Sequence, residues 1–94
     1  MATITPSARA PAQEALRVNV ILGRARARLS QGQLAERAGV ARPTVSRIER
    51  AVGDVSLDVV QRIADALGVN VADLFVPPSA AAVDDEELAR RAAA

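Results

Sequence analysis

Five side chains that can bind phosphates or bases occur close together in the sequence. They are Arg42, Thr44, Ser46, Arg47 and Arg50. An arginine guanidinium can donate paired hydrogen bonds to a phosphate or to O6 and N7 of guanine, and a hydroxyl can donate one to a phosphate oxygen. Val45 and Ile48 lie three residues apart in the same run, which predicts a short helix with an aliphatic inner side. The arginines and hydroxyls would then form an outer side suited to a polyanion.

A preceding short helix must position this run. Ser30 and Gln33 have the spacing of a capping box at a helix N-terminus. Leu34 and Ala38 then fall on one helical face, and Gly39 can adopt the left-handed conformation that ends a helix. The sequence therefore indicates two short helices with a glycine turn between them and a basic outer face on the second. This pattern predicts a helix-turn-helix, the motif that places a helix in the major groove of DNA.

Helical patterns on both sides of this motif predict the rest of an all-α domain. Leu16 and Val20 begin the apolar stripe of a helix expected from about residue 13 to residue 28. A fourth helix follows Ser56, with a stripe expected to lie in the core. The stripe consists of Leu57, Val60, Ile63 and Leu67. Asn70 precedes a last short turn, which Pro77 and Pro78 stop.

The two ends of the chain differ from this domain in composition. Residues 1–12 contain two prolines and no apolar period, which predicts a disordered arm. Residues 79–94 are rich in alanine, and four acids at 84–87 precede Arg90 and Arg91, an order compatible with a short helix. The domain itself is therefore predicted to span residues 13–78.

The composition argues against several classes of function. The 94 residues include no cysteine and no histidine, so thiol nucleophiles, imidazole bases and the usual transition-metal ligands are lacking. Neither a phosphate-binding loop nor a catalytic constellation occurs. We therefore expect no enzyme activity, no metal and no cofactor. Since no stretch resembles a membrane span or a signal peptide, the expected location is the cytoplasm, in association with the nucleoid.

The net charge of +1 conceals a strong asymmetry. Residues 1–50 contain nine arginines and three glutamates, whereas residues 51–94 contain three arginines and eight acids. The first half therefore has the charge of a polyanion-binding surface. All basic residues are arginine, which suits bidentate contacts to DNA but is equally explained by a GC-rich genome.

Residues 16–75 resemble the helix-turn-helix domain of the Cro and lambda-repressor-like (XRE) regulators. The resemblance lies in an ordered series of short motifs. They are Leu29-Ser30-Gln31, Leu34-Ala35, Ala38-Gly39-Val40, Val45-Ser46-Arg47-Ile48-Glu49, Ser56-Leu57, Ile63-Ala64, Leu67-Gly68-Val69 and Leu74-Phe75. The resemblance implies a five-helix lambda-repressor-like domain whose recognition helix, from about residue 42 to residue 50, enters the major groove.

The resemblance assigns base contacts to one side of the recognition helix. The residues concerned are Arg42, Pro43, Ser46 and Arg47. Arg47 can offer guanine a bidentate pair of hydrogen bonds, and the Pro43 ring could meet a thymine methyl group. Arg42 could reach either a base or a phosphate.

Phosphate contacts and one structural ion pair are expected around this helix. The phosphate-contacting candidates are Gln31, Thr44, Arg50 and Gly53. Gln31 begins the preceding helix, where unpaired N–H groups favour a phosphate, and the resemblance also gives it a bracing role. Gly53 would allow close backbone approach. By resemblance, Arg24 pairs with Glu49 and ties the first helix to the end of the recognition helix.

Four positions depart from the family pattern. Arg28 stands where glycine is common, so the first helix is expected to end without a left-handed residue. Gly23 replaces a larger aliphatic residue and leaves room for a neighbour such as Leu22 to fill. Ala41 stands where a serine or threonine usually caps the recognition helix, a loss of about 1 kcal/mol. Ala51 replaces a further glycine.

The predicted function is sequence-specific binding of double-stranded DNA by a transcriptional regulator, more specifically a repressor. The resemblance implies a homodimer on a pseudo-palindromic operator. The aliphatic surplus after the fourth helix predicts its interface at Val69, Val71, Phe75 and Val76. The alternatives are an antitoxin that binds a toxin partner through residues 79–94, a restriction–modification controller protein, and a protein-interaction module that has kept only the fold.

Overall fold

The computed structural model describes residues 10–78, which form four α-helices and one 3-10 helix and contain no strand. Their bounds are Pro11–Ala27 for α1, Gln31–Ala38 for α2, Arg42–Glu49 for α3, Leu57–Leu67 for α4 and Val71–Phe75 for the 3-10 helix. The all-α class is confirmed, with the last of the five predicted helical elements in the 3-10 form. The tail at 79–94 and residues 1–9 of the predicted arm lie outside the described residues.

Helix α1 begins two residues before the predicted boundary at residue 13, so Pro11 and Ala12 belong to the domain and not to an arm. Proline is favoured at the first helical position because its fixed φ suits a helix and its missing N–H would have had no partner there. The Glu14 N–H donates to the Ala10 carbonyl at 3.0 Å, which closes the first turn.

The end of α1 contradicts the expectation that no left-handed residue would occur there. Arg28 has φ 58° and ψ 41°, the conformation that a glycine would adopt at lower cost. Its N–H donates to the Ala25 carbonyl at 3.1 Å, and the Leu29 N–H donates to the Arg24 carbonyl at 3.0 Å. These two bonds and the packing of Leu29 against the core hold the strained residue in place.

The main core lies where α1, α2, α3, α4 and the 3-10 helix meet. Its most deeply buried aliphatic side chains are Val20, Leu34, Val45, Val60 and Ile63. Interdigitated aliphatic side chains of this kind fix the relative positions of short helices. The core therefore determines how α3 is presented to its surroundings.

Two expectations about the core are corrected by the structure. Leu57 is 80% exposed and is not a core residue. It is the first residue of α4, and a helical side chain leans toward the N-terminus, so it projects past the end of the helix. The space at Gly23 is filled by Leu67 and not by Leu22, because a β-carbon at Gly23 would lie 2.9 Å from Cδ1 of Leu67.

Candidate nucleic-acid interface

The capping box and the glycine turn fix the geometry of α2 and its connection to α3. The Gln33 N–H donates to Oγ of Ser30 at 3.1 Å, and the Ser30 N–H donates to Oε1 of Gln33 at 2.8 Å. Gly39 has φ 72°, and the Val40 N–H donates to the Ala35 carbonyl at 3.0 Å. These bonds satisfy groups at both helix ends, so α3 follows α2 after a tight turn.

Helix α3 separates a buried side from a basic outer side. Val45, Ile48 and Glu49 are buried. The exposed side chains are Arg42, Pro43, Arg47 and Arg50, with Ser46 half-buried among them. At about 100° per residue these five positions fall on one continuous side of the helix. The structure therefore brings all four candidate base-contacting residues together on one surface, which we call the α3 outer face.

The α3 outer face begins at a helix end without a side-chain cap. Ala41 is the N-cap residue and has φ −73° and ψ 144°, nearly the backbone conformation of the capping Ser30 and Ser56. The Thr44 N–H donates to the Ala41 carbonyl at 2.9 Å. The structure therefore has no side-chain cap at Ala41, as the sequence predicts. The Ala41 backbone nevertheless has the conformation in which a serine hydroxyl could cap the helix.

A buried network ties the C-terminal end of α3 to α1 and α2. Nε of Arg24 donates to Oε2 of Glu49 at 2.8 Å, and Nη2 donates to Oε1 at 3.0 Å. The two side chains are only 2% and 4% exposed. Nη1 of Arg24 also donates to the Leu29 carbonyl at 3.1 Å. A bidentate pair of this geometry fixes distance and orientation together, so it holds α3 rigidly against α1.

Gln31 joins this network through its side chain. Nε2 of Gln31 donates to Oε1 of Glu49 at 3.0 Å, so one carboxylate binds side chains from both preceding helices. Gln31 is half-buried, and its Oε1 and second amide hydrogen take no part in this bond. The bracing role of Gln31 thus has a structural basis, although sequence spacing gave no sign that Glu49 is its partner.

The segment after α3 holds the remaining phosphate-contacting candidates. Gly53 is exposed with φ 73°, and its carbonyl accepts a hydrogen bond from Nε2 of Gln13 at 3.1 Å. That bond fastens the turn to the start of α1, which the sequence did not predict. Nε of Arg50 donates to the Ser46 carbonyl at 3.4 Å, and Thr44 is half-buried beside a cavity under this turn.

Ala51 adopts a left-handed conformation in the same turn, with φ 54°. Its N–H donates to the Ile48 carbonyl at 3.1 Å, and the Val52 N–H donates to the Arg47 carbonyl at 3.0 Å. This is the hydrogen-bonded helix end that glycine usually forms. Ala51 therefore retains the geometry of the glycine it replaces, with strain in its backbone.

The four candidate dimer-interface residues fall into two groups. Val69 and Val76 are exposed, whereas Val71 and Phe75 are half-buried and pack against the core. Asn19 holds the end of this segment against α1, because its Nδ2 donates to the carbonyls of Leu74 and Val76, each at 2.8 Å. Asn19 is a polar residue within a helix, and its sequence position did not reveal this role.

Within residues 10–78, no group of three acidic, histidine or cysteine side chains is placed to hold a metal ion. No helix in the same part of the chain is both long enough and apolar enough to cross a membrane.

A short α-helix with a basic outer face, set across a second short helix by a glycine turn, defines a helix-turn-helix domain. The family model described as "Helix-turn-helix" matches residues 23–74, more than half of the chain. The chain therefore belongs to the helix-turn-helix family, in agreement with its resemblance to the Cro and lambda-repressor-like (XRE) regulators.

Similar proteins include two from Mycobacterium tuberculosis and one from Neisseria. Two strains of Mycobacterium tuberculosis, CDC 1551 / Oshkosh and H37Rv, each have an "Uncharacterized HTH-type transcriptional regulator" that is 46% identical over 50 residues. Each match covers 53% of this chain and 36% of the relative, so the matched region is about a third of those proteins. The crystal structure of a "hypothetical transcription factor NHTF from Neisseria" is 31% identical with a TM-score of 0.70, covering 81% of this chain and 90% of that one.

Proposed function

We propose that the chain is a transcriptional regulator that binds specific sites in double-stranded DNA through the α3 outer face. The observation that carries this proposal is the position of three exposed arginines, Arg42, Arg47 and Arg50, on one side of a helix whose other side is fixed in the core. The names of the Mycobacterium and Neisseria proteins agree with this role. The proposed role is DNA binding without catalysis, and the proposed location is the cytoplasm.

The proposed contacts divide into two kinds. Arg42, Pro43, Ser46 and Arg47 read base edges in the major groove, with Arg47 bidentate to a guanine. Gln31, Thr44, Arg50 and the backbone at Gly53 contact the flanking phosphates and fix the position of α3 on the duplex. The buried Glu49 carboxylate supports this division, because it belongs to α3 and binds both Arg24 of α1 and Gln31 of α2, which fixes Gln31 beside the recognition helix.

The proposed active form is a homodimer on a pseudo-palindromic operator. A single recognition helix reads only a few base pairs, and a two-fold dimer doubles the site, with half-sites about 10 base pairs apart or a multiple of that. The exposed Val69 and Val76 supply apolar surface for such an interface. Bound in this way across a promoter, the dimer acts as a repressor by occluding it.

Selection from a random pool of duplex DNA tests the DNA-binding proposal. The expected product is an enriched inverted repeat. Each half of the repeat should contain one guanine whose enrichment depends on Arg47. An unenriched pool, at a salt concentration where the protein still binds DNA, would contradict sequence-specific recognition. The same selection with Arg47→Ala should relax the preference at that guanine and leave the spacing unchanged.

Light scattering on the purified protein tests the dimer separately. The expected mass is twice that of the chain at high concentration, and Val76→Asp should lower it by placing a charge in the apolar contact. A monomeric mass at every concentration, with an inverted repeat still selected, would mean that the two copies associate only on DNA.

A further inference from the structure

The turn between α3 and α4 presents backbone donors that the domain does not use. Within residues 10–78, the N–H groups of residues 53–56 donate to no carbonyl or side chain. The two preceding N–H groups, those of Ala51 and Val52, differ because they bind carbonyls of α3. Gly53 and Asp54 are exposed, so water or a ligand must supply the acceptors for their N–H groups. Backbone N–H groups are regular donors to the phosphates of DNA.

Gln13 of α1 fixes the orientation of one peptide group in this turn. Its Nε2 donates to the Gly53 carbonyl at 3.1 Å. That carbonyl shares a planar peptide group with the Asp54 N–H, and the bond between the two residues is trans. In a trans peptide group the C=O and the N–H point in opposite directions. The hydrogen bond therefore draws the carbonyl toward α1 and turns the Asp54 N–H away from α1.

The peptide group needs this anchor because Gly53 permits more than one orientation. Gly53 has φ 73°, and no atom lies within 4 Å of the place where a β-carbon would stand. Since glycine adopts both signs of φ at similar cost, the peptide could rotate by about 180° with little steric resistance, which would exchange the directions of its C=O and N–H. Among the described residues, only Gln13 donates to the Gly53 carbonyl. The side chain of Gln13 therefore selects the orientation.

The turn lies beside the α3 outer face. A cavity of about 180 Å³ under the turn is lined by Gln13 and Gly53 and also by Thr44 and Arg47 of α3. Those two α3 residues are among the proposed DNA contacts, so a duplex on the α3 outer face passes close to the turn. Leu16, one helical turn after Gln13, is a core residue, which fixes the part of α1 from which Gln13 reaches.

The turn can attract a phosphate only through its backbone. Residues 52–55 have no side chain that can donate a hydrogen bond when Asp54 is ionised. The exposed Asp54 carboxylate has the same sign of charge as a phosphate and would repel it. The direction of the Asp54 N–H therefore helps to decide whether this part of the turn favours or opposes a bound duplex.

We propose that Gln13 is a positioning residue for DNA binding, which directs the Asp54 N–H to a phosphate of the bound duplex by holding the Gly53 carbonyl. The contact is independent of base sequence, and it adds a donor to the phosphate contact at Gly53. Gln13 precedes residues 23–74, the region that the family model matches, so the family pattern does not supply this role. The inference rests on the proposed function, because it requires a duplex on the α3 outer face.

Anisotropy titrations with chemically modified DNA test this role. The probe is the duplex selected by the native chain, with one phosphate at a time replaced by an uncharged methylphosphonate. Gln13→Met has a side chain of similar length that cannot donate, and it should weaken binding to the selected and scrambled duplexes alike by about fivefold. One methylphosphonate position should cost the native chain a similar factor and should cost Gln13→Met nothing further, because the contact is already lost.

The matched control is Gln61→Met. Nε2 of Gln61 donates to Oδ1 of Asp65 at 2.9 Å on α4, so the same replacement removes a similar exposed hydrogen bond outside the turn. Gln61→Met should bind every duplex as the native chain does. Unchanged affinity of Gln13→Met, or losses that add at every methylphosphonate position, would overturn the inference and leave the proposed function standing. A native chain that binds no duplex would overturn both.

Amide NMR of the native chain gives a second measurement that needs no substitution. The Asp54 N–H resonance should move downfield when the selected duplex is added, because a hydrogen bond to a phosphate deshields the proton. The duplex with the methylphosphonate at the position identified above should reduce that shift. An Asp54 resonance that stays in place, while resonances of α3 move, would overturn the inference.

Discussion

Removal of the Glu49 carboxylate is expected to be the most destabilising single change in the recognition motif. Glu49→Ala leaves the Arg24 guanidinium buried at 2% exposure, still bonded to the Leu29 carbonyl but without its bidentate partner. Breaking a buried pair by deleting one partner typically costs about 3–5 kcal/mol. Gln31 also loses the acceptor that it shares with Arg24. A domain of this size is stable by only about 5 kcal/mol, so most of its stability would be lost.

The matched control is Asp58→Ala, which breaks the pair between Asp58 and Arg62 on α4. That pair has a similar distance, 2.9 Å, but its side chains are 74% and 52% exposed. Solvent screening reduces such a pair to less than about 1 kcal/mol. Both variants replace an acid that binds an arginine, so a larger loss of stability in Glu49→Ala would be due to the burial of its pair.

Urea unfolding followed by circular dichroism measures both variants. With a slope of about 1 kcal/mol per molar urea, Glu49→Ala should lower the midpoint by about 3 M or more, and Asp58→Ala by less than about 1 M. An excluded osmolyte keeps the weaker variant folded at the start of the titration. The double variant Arg24→Met/Glu49→Leu should recover more than half of the loss, because no charge is then buried. Equal midpoints for Glu49→Ala and Asp58→Ala would refute the reasoning.

Three smaller predictions concern the ends and contacts of the motif. Ala41→Ser should raise the free energy of unfolding by about 1 kcal/mol, because a hydroxyl there gives the Thr44 N–H a side-chain acceptor besides the Ala41 carbonyl to which it donates now; Ala41→Val, which offers no such acceptor, serves as the control in urea unfolding. Ala51→Gly should raise it by roughly 0.5–1 kcal/mol by relieving the left-handed strain, and an unchanged or lower midpoint would contradict that explanation. Gln31→Ala should weaken binding to all DNA sequences alike in an anisotropy titration; a loss confined to one sequence would instead make Gln31 a base reader.

The helix-turn-helix could be predicted from the sequence because its boundaries depend on local chemistry. Ser30, Gln33 and Gly39 satisfy hydrogen bonds within a few residues of themselves, so their spacing is enough to indicate where α2 begins and ends. The apolar inner side of α3 is likewise visible in Val45 and Ile48. The ion pair between Arg24 and Glu49 came from family resemblance and not from spacing, since the two residues are 25 positions apart.

The errors arose where tertiary structure overrode local preference. Arg28 is left-handed despite having a β-carbon, because the chain must turn there for Leu29 to pack against the core. Leu57 fits the apolar period of α4 but lies at its first position, where no neighbouring element covers it. The bonds from Asn19 and Gln13 to backbone carbonyls are long-range contacts that a polar residue in a helix does not reveal.

The central claim is that the α3 outer face reads DNA sequence, and the affinity of Arg47→Ala for a selected duplex tests it most directly. Anisotropy titration should show a loss of about 1–3 kcal/mol, roughly 5- to 150-fold, against the selected site and a much smaller loss against a scrambled duplex at the same salt concentration. Arg26→Ala is the control, because it removes an exposed arginine of α1 and leaves α3 intact. Unchanged affinity of Arg47→Ala for the selected duplex, or equal losses for both variants, would contradict the claim.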